Sequence, residues 1–290
     1  MRLSDTGLAF ILLVPLIALV FSINIYPIAY SLWLSIHDVS LIKQSAEFVG
    51  VNQYVKSFSD PVFIGSLQVS ARFVIESVSL IMLASIGMAL ILNERTAISS
   101  ILKVLVILPW ALSEFAVAIA GRFFLDRNYG FLNSLLLHTG LVDKPLYFLN
   151  PVNAVDWLAV FFAWNVSPIG AYFILSALQT IPEDLYKQAK IDGASTLRRF
   201  RIVTFPFIRY AVLITAVLAT ILSASSVVLS FALTGGGPGF ASTPATLYIF
   251  RVFFNAQDFG YGAAMSWIML LMVVVASIFY FRLLTWRRYR

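Results

Sequence analysis

Residues 155–178 read VDWLAVFFAWNVSPIGAYFILSAL, and residues 210–233 read YAVLITAVLATILSASSVVLSFAL. Asp156 is the only charged residue in the two stretches together. A bilayer-spanning helix needs roughly 20 mostly apolar residues, so each stretch is long enough to cross a membrane. Working outward, four further runs have the same character: Gly7 to Leu34, Phe73 to Leu92 with a start as early as Ile64, Ile101 to Phe124, and Gly262 to Leu284. Backbone groups in hydrocarbon must pair within the segment, so these runs are expected as helices. The ten-residue alternation of a membrane barrel is not what they look like. The reading is an all-α polytopic membrane protein with six spans. It is expected to be one transmembrane domain over residues 1–290, with no soluble domain appended and no cleaved leader.

Composition agrees. Of the 290 residues, 60% are hydrophobic and 12% charged, against about 45–50% and about 25% in a soluble globular chain. With no cysteine, thiolate metal sites, disulfides and cysteine nucleophiles are excluded. Two histidines, His37 and His138, make a multi-histidine centre unpromising. A membrane enzyme would need a cluster of acids, bases or ligands, and no H-E-x-x-H or comparable set occurs. The net charge of +6 sits unevenly. Six spans put both termini on one side; that side holds thirteen Lys and Arg residues, among them Arg2, Lys187, Arg201 and Arg290. The other holds seven, among them Lys56, Arg72 and Lys144. The excess predicts cytoplasmic termini, with the final TWRRYR as an orientation anchor and no nucleic-acid partner.

The connection IPEDLYKQAKIDGASTLRRFRIVTFPFIRY, residues 181–210, is the longest charged stretch. Glu183 to Lys190 suits a short amphipathic helix after Pro182. Asp192-Gly193 is a turn signal, Ala194 to Ile202 suits a second helix, and Pro206 precedes re-entry into the membrane. Such a helix–Gly–helix elbow suits docking to another protein; a solvated basic loop is the other reading of the same residues. Within the spans, polar residues are costly and point to function. Glu114 falls near the middle of span three, after Pro109, which can bend the helix. Asn165 and Pro168 interrupt span four, and Ser223, Ser225 and Ser226 interrupt span five. A solute pathway combines such hydrogen-bonding groups with apolar walls, while helix packing uses the same small residues. Arg72 and Glu76, four apart, are expected to pair with each other. Gly260 to Ala264 is expected to serve close packing, and TGGGPG, residues 234–239, a flexible loop.

The 181–210 segment resembles the EAA loop of ATP-binding-cassette importer permeases: Glu-Ala-Ala, three residues, Gly, nine residues, Ile, one residue, Leu-Pro. Here the pattern falls on Lys187-Gln188-Ala189, Gly193, Val203, Phe205 and Pro206. PEDLY and DGAS, with YPIAYSLWLS, FVGVNQYVKSFSDPVF, ILPWAL, YGFLNSLL and LTGGGPGFAST elsewhere, resemble the carbohydrate-importer branch of maltose-permease type. The resemblance implies a transport subunit and not an enzyme. It implies a second permease subunit, two ATPase subunits and an extracytoplasmic solute-binding protein as partners, in a cytoplasmic (inner) membrane and in contact with its lipid. It implies a sugar-type small-molecule solute moved by alternating access. ATP and magnesium would sit on the partner subunits and no cofactor on this chain, which has no G-x-x-x-x-G-K-[ST] phosphate loop. By the same resemblance, Glu183, Asp184, Lys187, Ala189, Asp192, Gly193, Ala194 and Pro206 would couple to the ATPase. In such permeases spans four and five line most of the pathway, which would place Asn165, Ser223 and Ser226 there. Glu114, as a charge within a span, is expected to be a pathway residue or a contact to the partner permease. Lys187 departs from the family's Glu; Glu183, Asp184 or Asp192 would have to supply the missing charge. An ion-coupled carrier using Glu114 is the alternative function.

Overall fold

A computed structural model describes residues 5–42, 45–94 and 98–285, so TWRRYR beyond Thr285 lies outside the described residues, as do Arg2 and Arg95. The described residues are mostly helical, and among them five helical runs are long and apolar enough to cross a membrane: Leu12–Ser35, Pro61–Asn93, Ala154–Leu178, Thr196–Ser225 and Phe259–Arg282. A sixth apolar stretch, Ser99–Ala111 with Glu114–Phe124, is bent by 93° at its break. One small two-stranded hairpin, His37–Ser40 against Ser45–Phe48, pairs antiparallel with His37 opposite Phe48. The apolar runs of the sequence are therefore all helical, but three of them differ in outline from the expectation.

Span two begins at Pro61, earlier than its apolar stretch. Proline suits a first helical turn, where its missing N–H costs nothing. The Asp60 carboxylate takes up two of the free donors, from Val62 N at 2.8 Å and Phe63 N at 3.3 Å. Span three is not one helix. Leu112 is extended, and Ser113 starts a new helix by accepting from Ala116 N at 3.2 Å. Glu114 thus lies in the first turn of the second helix and not mid-span. Span five ends at Ser225, and residues 228–233 form a separate short helix after a break at Ser226 and Val227.

The elbow also differs. Its first helix, Glu183–Ile191, is as expected. Its second part is no separate helix: residues 196–225 run on without interruption into span five. Pro206 does not begin a separate helix. It follows a π turn, Phe200–Thr204, closed by Phe205 N to Phe200 O. A proline cannot donate to the residue four before it and its ring crowds that carbonyl, so the wider turn absorbs the defect. Span one repeats the device. There Phe21–Ile25 is a π turn before Pro27, and FSINIYP (21–27) and FRIVTFP (200–206) share Phe-x-Ile-x-x-aromatic-Pro.

The chain divides into two compact units, residues 1–64 with 249–268 and residues 65–248 with 269–290. In the first, Gly260 lies where a Cβ would come 2.1 Å from the His37 carbonyl oxygen, and Gly262 packs against Phe253, so the expected close packing is present. In the second, one core gathers Phe73, Ile81, Val117, Leu158, Phe162 and Leu229. A second core joins Leu92, Ile174 and Leu178 to Ala189, Ala194, Val203 and Ile208 of the elbow. Arg72 bonds Glu76 at 2.7 Å as expected and also reaches Asp156, which ties span two to span four. The TGGGPG loop is pegged by hydroxyls: Ser242 donates to Gly237 O at 2.6 Å, and Thr243 to Gly236 O at 2.7 Å.

Spans two, four and five cross at Gly170. A Cβ there would lie 2.5 Å from Ser85 Oγ and 2.6 Å from Thr215 Cγ2. Gly170→Ala should therefore destabilise the purified protein by about 1–3 kcal/mol, the usual cost of overpacking. Ser85→Ala with Thr215→Ser should recover part of that loss. Thermal unfolding in detergent measures both; a Gly170→Ala midpoint equal to the parent's would refute the crossing.

Candidate functional site

The two helix breaks in the second unit meet. Ser226, at the interruption after span five, donates from Oγ to Glu114 Oε2 at 2.8 Å. Thr246 Oγ1 donates to the Ser226 carbonyl at 3.0 Å. Asn165 of span four closes the other side of the bend: its amide donates to Pro109 O at 2.6 Å and Leu112 O at 3.2 Å. The sequence logic is local. Pro109 O accepts from Leu112 N at 3.2 Å as the first helix ends, and the side-chain amide of the neighbouring span adds a donor there and to the carbonyl of the extended Leu112. Glu114 sits at a helix N-terminus, where the helix dipole favours a carboxylate.

Of the predicted pathway residues, the structure brings Glu114 and Ser226 together directly and sets Asn165 on the same bend. Ser223 does not join them; it is buried and donates to Thr220 O at 3.2 Å within its own helix. Ser225 likewise bonds Ile221 O at 2.7 Å. Glu114 is half-buried, and among the described residues no cation pairs with it. Its carboxylate is an acceptor whose described partner is one hydroxyl. Thr246 was not anticipated, because nothing in ATLYIF signals that the residue faces another break. The break itself had a signal: Ser113-Glu114 is an N-cap followed by a first-turn acid. Among the described residues, no group of three His, Asp or Glu could hold a metal.

The elbow is a second ordered site. Gly193 adopts φ +73°, with nothing within 4 Å of where a Cβ would stand. Ala194 N donates to Ala189 O at 2.9 Å and Gly193 N to Lys190 O at 3.1 Å, which together form a Schellman cap. The cap buries Ala189 and Ala194 side by side in the second core. Ser195 then caps the next helix, accepting from Arg198 N at 3.4 Å. Tyr186 and Thr204 join the two arms through their hydroxyls at 3.0 Å. Asp184 and Lys187 pair at 2.9 Å in the open, while Asp192 and Pro206 are exposed. Asp184 thus neutralises Lys187 within the helix itself. Glu183 instead lines a cavity of about 660 Å³ with Asn93, Glu94, Tyr186, Arg199 and Thr204.

Interrupted apolar helices with polar groups gathered at the breaks define a multi-pass membrane transport protein. The chain belongs to the family described as binding-protein-dependent transport system inner membrane component, which matches residues 81–288. It is 32% identical over 290 residues to the trehalose/maltose transport system permease protein MalF of Thermococcus litoralis, covering 99% of this chain and 97% of that one. It is 29% identical over 283 residues to the sulfoquinovosyl glycerol transport system permease protein SmoG of Agrobacterium fabrum, covering 97% and 92%. Its fold is similar to that of a chain in the crystal structure of a bacterial alginate ABC transporter in complex with an alginate pentasaccharide-bound periplasmic protein. That likeness has a TM-score of 0.80 at 21% identity and covers 94% of this chain and 92% of the other.

Asn165→Leu removes the side-chain donor shared by the Pro109 and Leu112 carbonyls at the bend. The substitution should lower stability by about 1–3 kcal/mol, the usual cost of stranding a buried polar group. Thermal unfolding of the purified protein reads it. An unchanged midpoint would mean that the bend does not rely on Asn165.

Proposed function

We propose that this chain is one permease subunit of an ATP-driven importer whose solute is an uncharged, hydroxyl-rich molecule of the sugar class. The observation that carries the reading is the junction of two broken helices at Glu114 and Ser226. Irregular backbone at membrane depth is tolerated where it is buried in protein or lines a watery cavity. Here it gathers a carboxylate, hydroxyls and an amide, which are groups that exchange hydrogen bonds with sugar hydroxyls. A relative named for trehalose and maltose, both neutral sugars, supports the solute class. The relative named for a sulfoquinovosyl glycerol, which carries a sulfonate, supports only its polyhydroxyl character. A carboxylate without a described counter-cation favours hydroxyl donors and disfavours anionic solutes.

In the same proposal, a second permease completes the pathway, and two ATPase subunits carry ATP and magnesium. A solute-binding protein delivers solute from outside, and the termini lie in the cytoplasm. The elbow around Gly193 receives the ATPase. Its Schellman cap fixes the angle between helix 183–191 and the start of span five, so movement of a docked ATPase tilts span five as a lever. Ala189 and Ala194 seat that lever in the core, while Glu183, Asp184, Lys187 and Asp192 face the partner.

The test uses the assembled complex in proteoliposomes with its binding protein, ATP and radiolabelled trehalose, maltose or sn-glycerol 3-phosphate. Uptake of a neutral sugar that depends on ATP supports the reading; uptake of the phosphate alone contradicts the solute class. Gly193→Val should leave the complex assembled but abolish the stimulation of ATP hydrolysis by solute and binding protein. Gly193→Asn should keep most of it, because Asn tolerates positive φ better than Val. Unchanged coupling in Gly193→Val would refute the lever.

A further inference from the structure

Helix Asn52–Ser59, in the first compact unit, has its polarity reversed. Its inward residues are Gln53 and Ser57, both buried, whereas Val51, Val55 and Phe58 are 67%, 60% and 62% exposed. At 3.6 residues per turn these three form one stripe roughly opposite the buried pair. Asn52, Lys56 and Ser59 border the stripe on one side. For a helix in water this arrangement is backwards, since apolar side chains gain by leaving the solvent.

The helix is also fastened so that it cannot roll. Tyr54 Oη and Ser35 Oγ are 2.7 Å apart, and Gln53 Nε2 donates to Asp38 at 3.3 Å. Lys56 bonds Asp258 at 3.2 Å and lies 3.9 Å from the centre of the Tyr261 ring. The bonds of Gln53 and Tyr54 on the inner side and those of Lys56 at the flank together hold the apolar stripe outward.

The tethers also set its depth. Ser35 is the last residue of span one, and Tyr30 and Trp33, just before it, are exposed on that helix. Exposed Tyr and Trp at a span's end mark the membrane–water boundary. The other end of the helix is one residue, Asp60, from Pro61, where span two begins. A short helix bonded to the end of one span and joined directly to the next lies at that boundary.

We infer that helix 52–59 is an interfacial helix whose Val51–Val55–Phe58 stripe is embedded in lipid at the membrane surface. Its polar border of Asn52, Lys56 and Ser59 faces the headgroups and water. Helices of this kind bury an apolar face at the headgroup boundary and keep a charged border outside.

The chain has no cysteine, so single labelling sites are clean. Val55→Cys, Phe58→Cys, Asn52→Cys and Ser59→Cys, each carrying a nitroxide, are compared in the assembled importer. The vesicles contain phosphatidylethanolamine and phosphatidylglycerol. Power saturation compares collisions with oxygen, which concentrates in lipid, and with a water-soluble nickel chelate. The ratio of oxygen to nickel collisions should be several-fold higher at 55 and 58 than at 52 and 59. It should not change when the solute-binding protein is added. Equal ratios at all four sites would mean that the stripe faces water. Low collision with both reagents at 55 and 58, or a drop on adding the binding protein, would mean that a protein covers it. Either result overturns the inference.

Discussion

Hydrogen-bonding capacity left over at a helix end is expensive in a hydrocarbon setting, because no water reaches it. Most of what distinguishes this chain from a bundle of straight apolar rods follows from how it meets that constraint. The chain bends by 93° after Pro109 and the extended Leu112, and Asn165 crosses from span four to donate to both of their carbonyls. Ser113 caps the second half of the bend, and Glu114 turns toward Ser226 at the next break. Pro27 and Pro206 are each preceded by a π turn that keeps a continuous helix around the missing donor. Irregularity is thus confined to places where side chains or a wider turn supply partners.

The fold was legible to the degree that hydrophobicity alone decides it. Every apolar run became a helix, because long apolar segments have no other way to pair their backbone. The outline of the runs was less legible. A hydropathy reading sees apolar content and not hydrogen bonds, so it joined residues 101–124 and 210–233 across breaks that contain no polar tract. Ser113-Glu114 carried a capping signal that could have divided the first of these. No comparable signal marks Ser226. The strands 37–40 and 45–48 pair locally, but Ser40 and Lys56 also reach Asp258, some 200 positions away in sequence, and no local pattern encodes those contacts.

The candidate site was legible in part for the same reason. Glu114, Asn165 and Ser226 are conspicuous because polar groups are costly where they stand, and the structure gives each a specific partner. Ser223 was equally conspicuous and turned out to satisfy itself within its own helix. Spacing cannot tell a serine that back-bonds from one that reaches across. In the elbow, Gly193 carried its own explanation, a positive φ at a Schellman cap. The continuity of the elbow with span five did not show in the sequence, because Pro206 reads as a stop until the π turn before it is seen. That continuity matters for the proposed coupling: an unbroken helical run from Thr196 to Ser225, with a π turn at Phe200–Thr204, connects the elbow to the break beside Glu114.

The central claim is that the meeting point of the two breaks belongs to a water-filled solute pathway whose exposure changes during transport. The direct measurement is the rate at which a small hydrophilic thiol reagent modifies Glu114→Cys in the assembled importer, read as a mass shift on this cysteine-free chain. The account predicts reaction in the resting complex. It also predicts a clear change in rate when ATP and solute-loaded binding protein are supplied together, and protection by saturating solute. A cysteine at 114 that stays unmodified in every state would contradict it, leaving the junction as sealed packing and the pathway elsewhere.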